Sequence, residues 1–186
     1  IFYFLLVLSI SSTVYYHQTY IDNRRFMDLE KVNLKNAVNA KILDKKFNNL
    51  KWITNLYPKN PKKEIAQLKE AMSIIKSDER NKVLVTDYQF ISVLLSIDDN
   101  SPVRFWYEYH GYPTKDNKYH SIYKKFFMEQ LIKNQIEIIY EIKPLYGDKN
   151  VLKDIINKSC LIKKTHTKIL ESNTLIKCDD LEKYSN

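Results

Sequence analysis

The stretch KVLVTDYQFISVLLS, Lys82 to Ser96, decides the fold. Lys82 to Thr86 is a short β-branched run, Asp87 ends it, and Tyr88 to Ser96 is too apolar for a surface loop. The pattern predicts a buried strand that hands over to a buried helix, the repeating unit of a parallel sheet covered by helices. Immediately upstream lies the clearest helix start in the chain. Asn60 stands at the N-cap, Pro61 at the first helical position and Glu64 in the opening turn. Ile65, Leu68, Met72 and Ile75 then recur at helical spacing, leaving Lys63, Lys69, Glu70 and Lys76 to solvent, with a stop near Ser77 to Asn81. Further upstream, Leu50 to Leu56 reads as a short strand.

Downstream, Val103 to Tyr107 (VRFWY) is a strand candidate. Tyr119 to Asn134 reads as a helix with Ile122, Tyr123, Phe126, Phe127 and Leu131 inward and Asn134 as its C-cap. Ile136 to Ile142 alternates as a strand with one face partly wet, carrying Glu137, Ile139 and Glu141. Val151 to Ser159 reads as a short helix and Thr174 to Cys178 as a last strand. Helices alternating with strands predict an α/β fold: a small layered, largely parallel sheet with flanking helices.

The chain's other strong asymmetry lies at its start. Ile1 to Ile21 carries no Asp, Glu, Lys or Arg, while the rest holds all thirty basic and all twenty-two acidic residues. A chain that opens on Ile1 within IFYFLLVLSI reads as the continuation of a longer one. Spanning ~30 Å of hydrocarbon takes about 20 apolar residues, so Ile1 to Val14 is the C-terminal part of a transmembrane helix if it continues upstream. Tyr15, Tyr16 and Tyr20 suit the headgroup belt that follows. A signal-peptide core and a buried soluble helix are the rival readings. The expected organisation is thus the end of a transmembrane helix at 1–21, a juxtamembrane helical connector at 22–49 and a soluble α/β domain at 50–186. Near the membrane, Arg24, Arg25, Lys31 and Lys35 lean the domain towards the cytoplasm by the positive-inside rule.

The net charge of +8 raises the question of nucleic acid. Only Arg24, Arg25, Arg80 and Arg104 are arginines, and no basic run exceeds two residues, so a solvated lysine surface is the expectation and no nucleic-acid partner is assigned. Cys160 and Cys178 match no zinc spacing. They pair only if the fold brings their Cα atoms within ~7 Å; otherwise they are buried thiols.

Asp87, with Tyr88 and Gln89 beside it, stands where a strand passes to a helix, the place where ligands gather in parallel sheets. A carboxylate there binds a ligand or caps the following helix. The segment from Arg104 to Pro113 clusters Arg104, Trp106, Glu108, His110 and Tyr112 around Gly111, a set able to stack on a sugar ring and fix hydroxyls. There is no GxGxxG, P-loop, HExxH, CxxC or GxSxG, and His17, His110, His120 and His166 lack triad or metal spacing. No metal, cofactor or catalytic residue is assigned.

The stretches Trp52 to Pro58 (WITNLYP), Val83 to Ile91 (VLVTDYQFI) and Arg104 to Tyr107 (RFWY), behind a membrane helix, resemble the soluble C-terminal region of bacterial polytopic glycosyltransferases of the GT-C type. The resemblance covers roughly Leu50 to Leu181. It implies an integral membrane protein of the cell envelope with its soluble domain on the extracytoplasmic, periplasmic side. Its partners would be the lipid bilayer and a polyprenyl-phosphate-linked sugar or glycan acceptor. In that family the catalytic carboxylates lie between early membrane helices, so this fragment would be accessory to transfer. The alternatives are a single-pass anchored α/β enzyme with Asp87 in its site and a non-enzymatic anchored interaction domain.

Overall fold

The computed structural model describes residues 2–18, 29, 32–98, 100–103, 106, 111–143 and 151–178. The chain divides into two compact units, Ile1–Ile65 and Ala66–Asn186.

In the first unit, helix α1 (Phe2–Tyr16) has no charged residue and no buried side chain. Thr13 Oγ1 donates to the Ser9 carbonyl at 2.9 Å, a bond from a hydroxyl back to the helix backbone. Among the described residues no helix is long and apolar enough to cross a membrane. Of the helical connector expected over 22–49, residues 22–28, 30 and 31 lie outside the described residues, and residues 32–52 form three short 3-10 turns and a minimal hairpin. Each turn begins at an Asx residue, Asn33, Asn39 or Asp44, whose side chain accepts the N–H two residues on. That local bond competes with the i→i−4 ladder and breaks the helix. Strands β1 (Val38–Asn39) and β2 (Lys51–Trp52) pair antiparallel, so the strand expected over Leu50 to Leu56 is two residues long.

Helix α2 (Pro61–Ser77) starts as its sequence predicts, with Lys63 N–H donating to Asn60 Oδ1 at 3.2 Å. Ile65, Leu68, Ala71 and Ile75 form its buried row, Ala71 taking the place expected of the half-buried Met72. Glu64 is buried in the first unit. Its Oε2 accepts from Trp52 Nε1 at 2.8 Å and Thr54 Oγ1 at 2.9 Å, so a residue expected merely to favour the helix start also ties β2 to it.

The second unit is built on a four-stranded mixed sheet of order β3-β4-β6-β5, with β3 Lys82–Thr86, β4 Ile138–Ile142, β5 Leu161–Thr165 and β6 Leu170–Leu175. β3 and β4 run parallel, but β4–β6 and β6–β5 are antiparallel. The expectation of a largely parallel sheet is therefore corrected. Its cause is the hairpin β5–β6, which inserts the last strand beside β4. The turn is closed by Thr167, whose Oγ1 accepts from the Ile169 and Leu170 amides, and carries no Gly or Asn-Gly signal.

β3 and β4 are buried on both faces. One face of the sheet packs Val83, Val85 and Ile139 against Phe127, Met128 and Leu131 of α4 (His120–Lys133) and Leu152 and Ile155 of α5 (Val151–Ile155). Two expectations for α4 change here. Ile122 and Phe126 are 66 % and 43 % exposed, continuing a stripe from Tyr119, while the inward row is Tyr123, Phe127 and Leu131. Glu141, expected on a wet face, is buried because β4 is central and covered.

Helix α3 (Phe90–Leu95) and helix α4 both end in Schellman motifs. Ile97 N–H reaches the Ser92 carbonyl and Ile136 N–H reaches Leu131, with Ser96 (φ 53°) and Gln135 (φ 51°) in the left-handed position. Asn134 is the C-cap residue of α4, as read from the sequence. The helix expected over Val151 to Ser159 splits into α5 and a 3-10 turn where Asn157 Oδ1 accepts the Ser159 N–H. Cys160 and Cys178 are joined by a disulfide with Cα atoms 5.3 Å apart.

Candidate functional site

The carboxyl end of β3 opens into a cavity of about 340 Å³. Thr86, Gln89, Ser92, Ser101 and Trp106 line it, with Val103 as an apolar wall. Gln89 at the N-cap and Ser92 and Val93 of α3 stand at i, i+3 and i+4, so the short helix presents one face to the opening. Thr86 Oγ1 accepts the Tyr88 N–H at 3.0 Å, which turns the chain out of the strand and into α3.

Trp106 is buried, and its Nε1 donates to the Leu84 carbonyl at 2.8 Å. Among the described strands β3 lies at an edge of the sheet, and the indole occupies one of its carbonyls. Behind it, Trp106 packs 6.3 Å from Tyr112 and 6.0 Å from Phe127, and Tyr112 stacks on Tyr123 at 6.5 Å. Burial pushes the Tyr123 hydroxyl well above the ordinary phenol range, so it stays protonated.

Of the residues singled out from sequence, Gln89 and Trp106 meet at this cavity. Asp87 is exposed and does not line it, and the N-cap position of α3 falls to Gln89, which makes no side-chain cap bond. Tyr88 is half-buried with its ring 6.0 Å from Phe90, and Tyr112 belongs to the aromatic core. Arg104, Glu108 and His110 lie outside the described residues, as does most of the strand expected over Val103 to Tyr107. Thr86, Ser92 and Ser101 went unmarked in the sequence. The i, i+3 spacing of Gln89 and Ser92 was the available signal.

The described lining offers hydroxyls, one carboxamide and an indole, and no carboxylate or imidazole. Ser92 Oγ donates to the Gln89 carbonyl and Ser101 Oγ to the Val103 carbonyl, so these hydroxyls face a ligand as acceptors, and such groups can hydrogen-bond a neutral polar molecule and pack on its apolar parts. Elsewhere among the described residues no group of three metal-ligating side chains assembles.

A separate polar cluster lies on the sheet face opposite the α4–α5 core. Asp78 Oδ2 accepts from Tyr140 Oη at 2.6 Å and from Arg80 Nη2 at 2.8 Å, while His166 Nε2 meets Ser172 Oγ at 2.8 Å. The bidentate Arg80 guanidinium holds the Asp78 carboxyl well below the usual carboxylate range. Burial, and after it the nearby Lys164, lower the His166 imidazole below its ordinary range. Ser172 is only 2 % exposed, which makes this cluster a structural bond network and not an accessible nucleophile.

No family model matches the chain, and neither a curated protein nor a solved structure matches it.

Proposed function

We propose that this chain is a membrane-tethered α/β module of the cell envelope, working on the extracytoplasmic side as an accessory to glycosyl transfer by binding a glycan acceptor. The observation that carries the tether is α1. Its fifteen residues lack charge and stand exposed on every side, including Phe2, Phe4, Val7 and Ile10. An uncharged helix that is mostly apolar, its polar residues being the hydroxyl types Ser9, Ser11, Ser12 and Thr13 and the tyrosines, is at home inside a protein core or a bilayer. At ~1.5 Å per residue α1 reaches about 22 Å, most of the way through the ~30 Å hydrocarbon layer; a full crossing needs further turns.

The Cys160–Cys178 disulfide supports the extracytoplasmic side, because such bonds persist in oxidising compartments. It outweighs the juxtamembrane basic residues, since a large translocated domain carries such charges across. The cavity at the end of β3 supports the binding role: Thr86, Gln89, Ser92 and Ser101 beside the Trp106 indole suit a sugar's alternation of hydroxyls and apolar patches. The resemblance to GT-C transferase C-terminal regions supplies the link to transfer.

The test follows the chain in intact cells. We expect it to remain in the membrane fraction through alkaline carbonate, to be released on deletion of residues 1–21, and to present oxidised cysteines and a protease-accessible domain on the outer side. Extraction by carbonate, or reduced cysteines that only a membrane-permeant alkylating reagent reaches, overturns it. A second reading, an anchored interaction domain without sugar binding, is favoured by the exposed Tyr119, Ile122 and Phe126 stripe on α4. Tryptophan fluorescence titrated with neutral oligosaccharides separates the two, since only the first predicts a response that Gln89→Ala weakens.

A further inference from the structure

Beside the disulfide, on the sheet face covered by α5, lies a second cavity of about 260 Å³ whose chemistry differs from that of the first. Its floor is Glu141 on β4 and Asn173 on β6. The two are joined by a hydrogen bond from Asn173 Nδ2 to Glu141 Oε1 at 2.5 Å, and both are buried. Its rim carries Lys153, Lys158 and Lys163, and Leu152 supplies an apolar wall.

The register explains why the charges fall this way. Glu141 stands directly opposite Glu171 across the β4–β6 ladder, a like-charge pair that sheets ordinarily avoid. Lys143 and Lys163 both converge on Glu171 Oε2, at 2.6 and 2.8 Å, and so neutralise that member of the pair. Glu141 is left with a carboxamide as its close partner, and desolvation raises its carboxyl above the ordinary range. Lys153 and Lys158 are exposed at the rim, and among the described residues neither has an ion-pair partner. Among the described residues the cavity thus joins two ammonium groups without an ion-pair partner at its mouth to a buried carboxyl–carboxamide pair at its floor.

We infer that this cavity is a binding site for a small hydroxylated anion, its acidic group held by Lys153 and Lys158 and a hydroxyl hydrogen-bonded at the Glu141–Asn173 floor. The anion is a carboxylate or a phosphate carried on a polyol ring. Both present oxygens that accept from lysine, and both rings present hydroxyls that donate to a carboxylate and accept from an amide. The volume lies just under the range for drug-sized ligands, which limits the occupant to about one ring. The ligand contrasts with the neutral acceptor proposed for the β3 cavity, and the inference does not depend on that proposal.

The test uses the full chain in detergent micelles and four probes: galacturonate, glucose 6-phosphate, galactose and inorganic phosphate. Calorimetry is expected to show galacturonate or glucose 6-phosphate binding at least tenfold more tightly than galactose and than inorganic phosphate, and the stronger of the two identifies the acidic group. The double variant Lys153→Gln, Lys158→Gln alters only exposed side chains; an unchanged melting curve checks its fold, and it is expected to lose at least tenfold in affinity. Glu141→Gln is expected to weaken the hydroxylated anions while leaving inorganic phosphate unchanged. Inorganic phosphate binding as tightly as the ring compounds, or affinity indifferent to the double variant, overturns the inference.

Discussion

The Tyr140 hydroxyl, in the middle of β4, donates to Asp78 Oδ2 at 2.6 Å, joining the central strand to the first residue beyond α2. The same carboxylate takes the Arg80 guanidinium and the Arg80 N–H, and Arg80 reaches on to Thr174 of β6 at 3.4 Å. One aspartate therefore gathers the end of a helix and two strands of the sheet.

Tyr140→Phe removes one bond to an ionised acceptor and leaves Asp78 paired with Arg80. A loss of about 1.5 kcal/mol is expected in urea unfolding. Because the Asp78 pKa is depressed on folding, its stabilisation is full above the ordinary carboxylate range and disappears as pH falls through the folded value. Asp78→Asn is expected to be less stable at neutral pH and to show a flatter acid limb than the parent.

Glu141 carries the opposite sign. Its folded pKa is raised, so the folded state holds the proton more tightly and stability falls as pH rises from the unfolded carboxylate range through the folded value. Glu141→Gln keeps an acceptor for Asn173 and abolishes the titration. Denaturation midpoints measured from pH 4 to 8 are expected to fall less for the variant across that window.

The Cys160–Cys178 bond closes a loop containing β5 and β6, with a sequence separation of 18. Constraining a loop of that size stabilises by about 3 kcal/mol on chain-entropy grounds. Thermal melts of the full chain are expected to drop by roughly 6–12 °C on reduction or in the Cys160→Ala, Cys178→Ala variant. An unchanged midpoint would mean that the hairpin is held by its strand pairing alone.

Glu64 is buried and accepts from both Trp52 and Thr54. Glu64→Ala strands the indole N–H and the hydroxyl, and is expected to cost about 3 kcal/mol, with a shift in Trp52 emission. Glu64→Gln retains a carbonyl acceptor and is expected to cost less than half as much.

The elements that announced themselves were those whose burial is carried by apolar side chains. β3 was legible because Val83, Leu84 and Val85 are all buried, and α2 because Asn60 and Pro61 mark its start beside a clean apolar row. β5 was not legible, because Ile162, Lys163, Lys164 and Thr165 are exposed on an edge strand and follow no alternation. With β5 unseen, the hairpin was unseen, and a helix–strand rhythm was extended into a parallel sheet that the chain does not build. At the β3 cavity the amide of Gln89 and the ring of Trp106 stood out by type, while Ser92 and Ser101 became neighbours only through folding. The Glu141 floor depended on the same missing register, since Asn173 faces it only once β6 lies antiparallel to β4.

The placement of β6 between β4 and β5 also sets a schedule for the newborn polypeptide. Until Leu170–Leu175 has left the ribosome, β4 has, among the described strands, β3 alone as a ladder partner and its other edge stays open to passing strands. The keystone of this sheet is delivered last, so a synthesis halted before it leaves a sticky, unfinished product for quality control to remove.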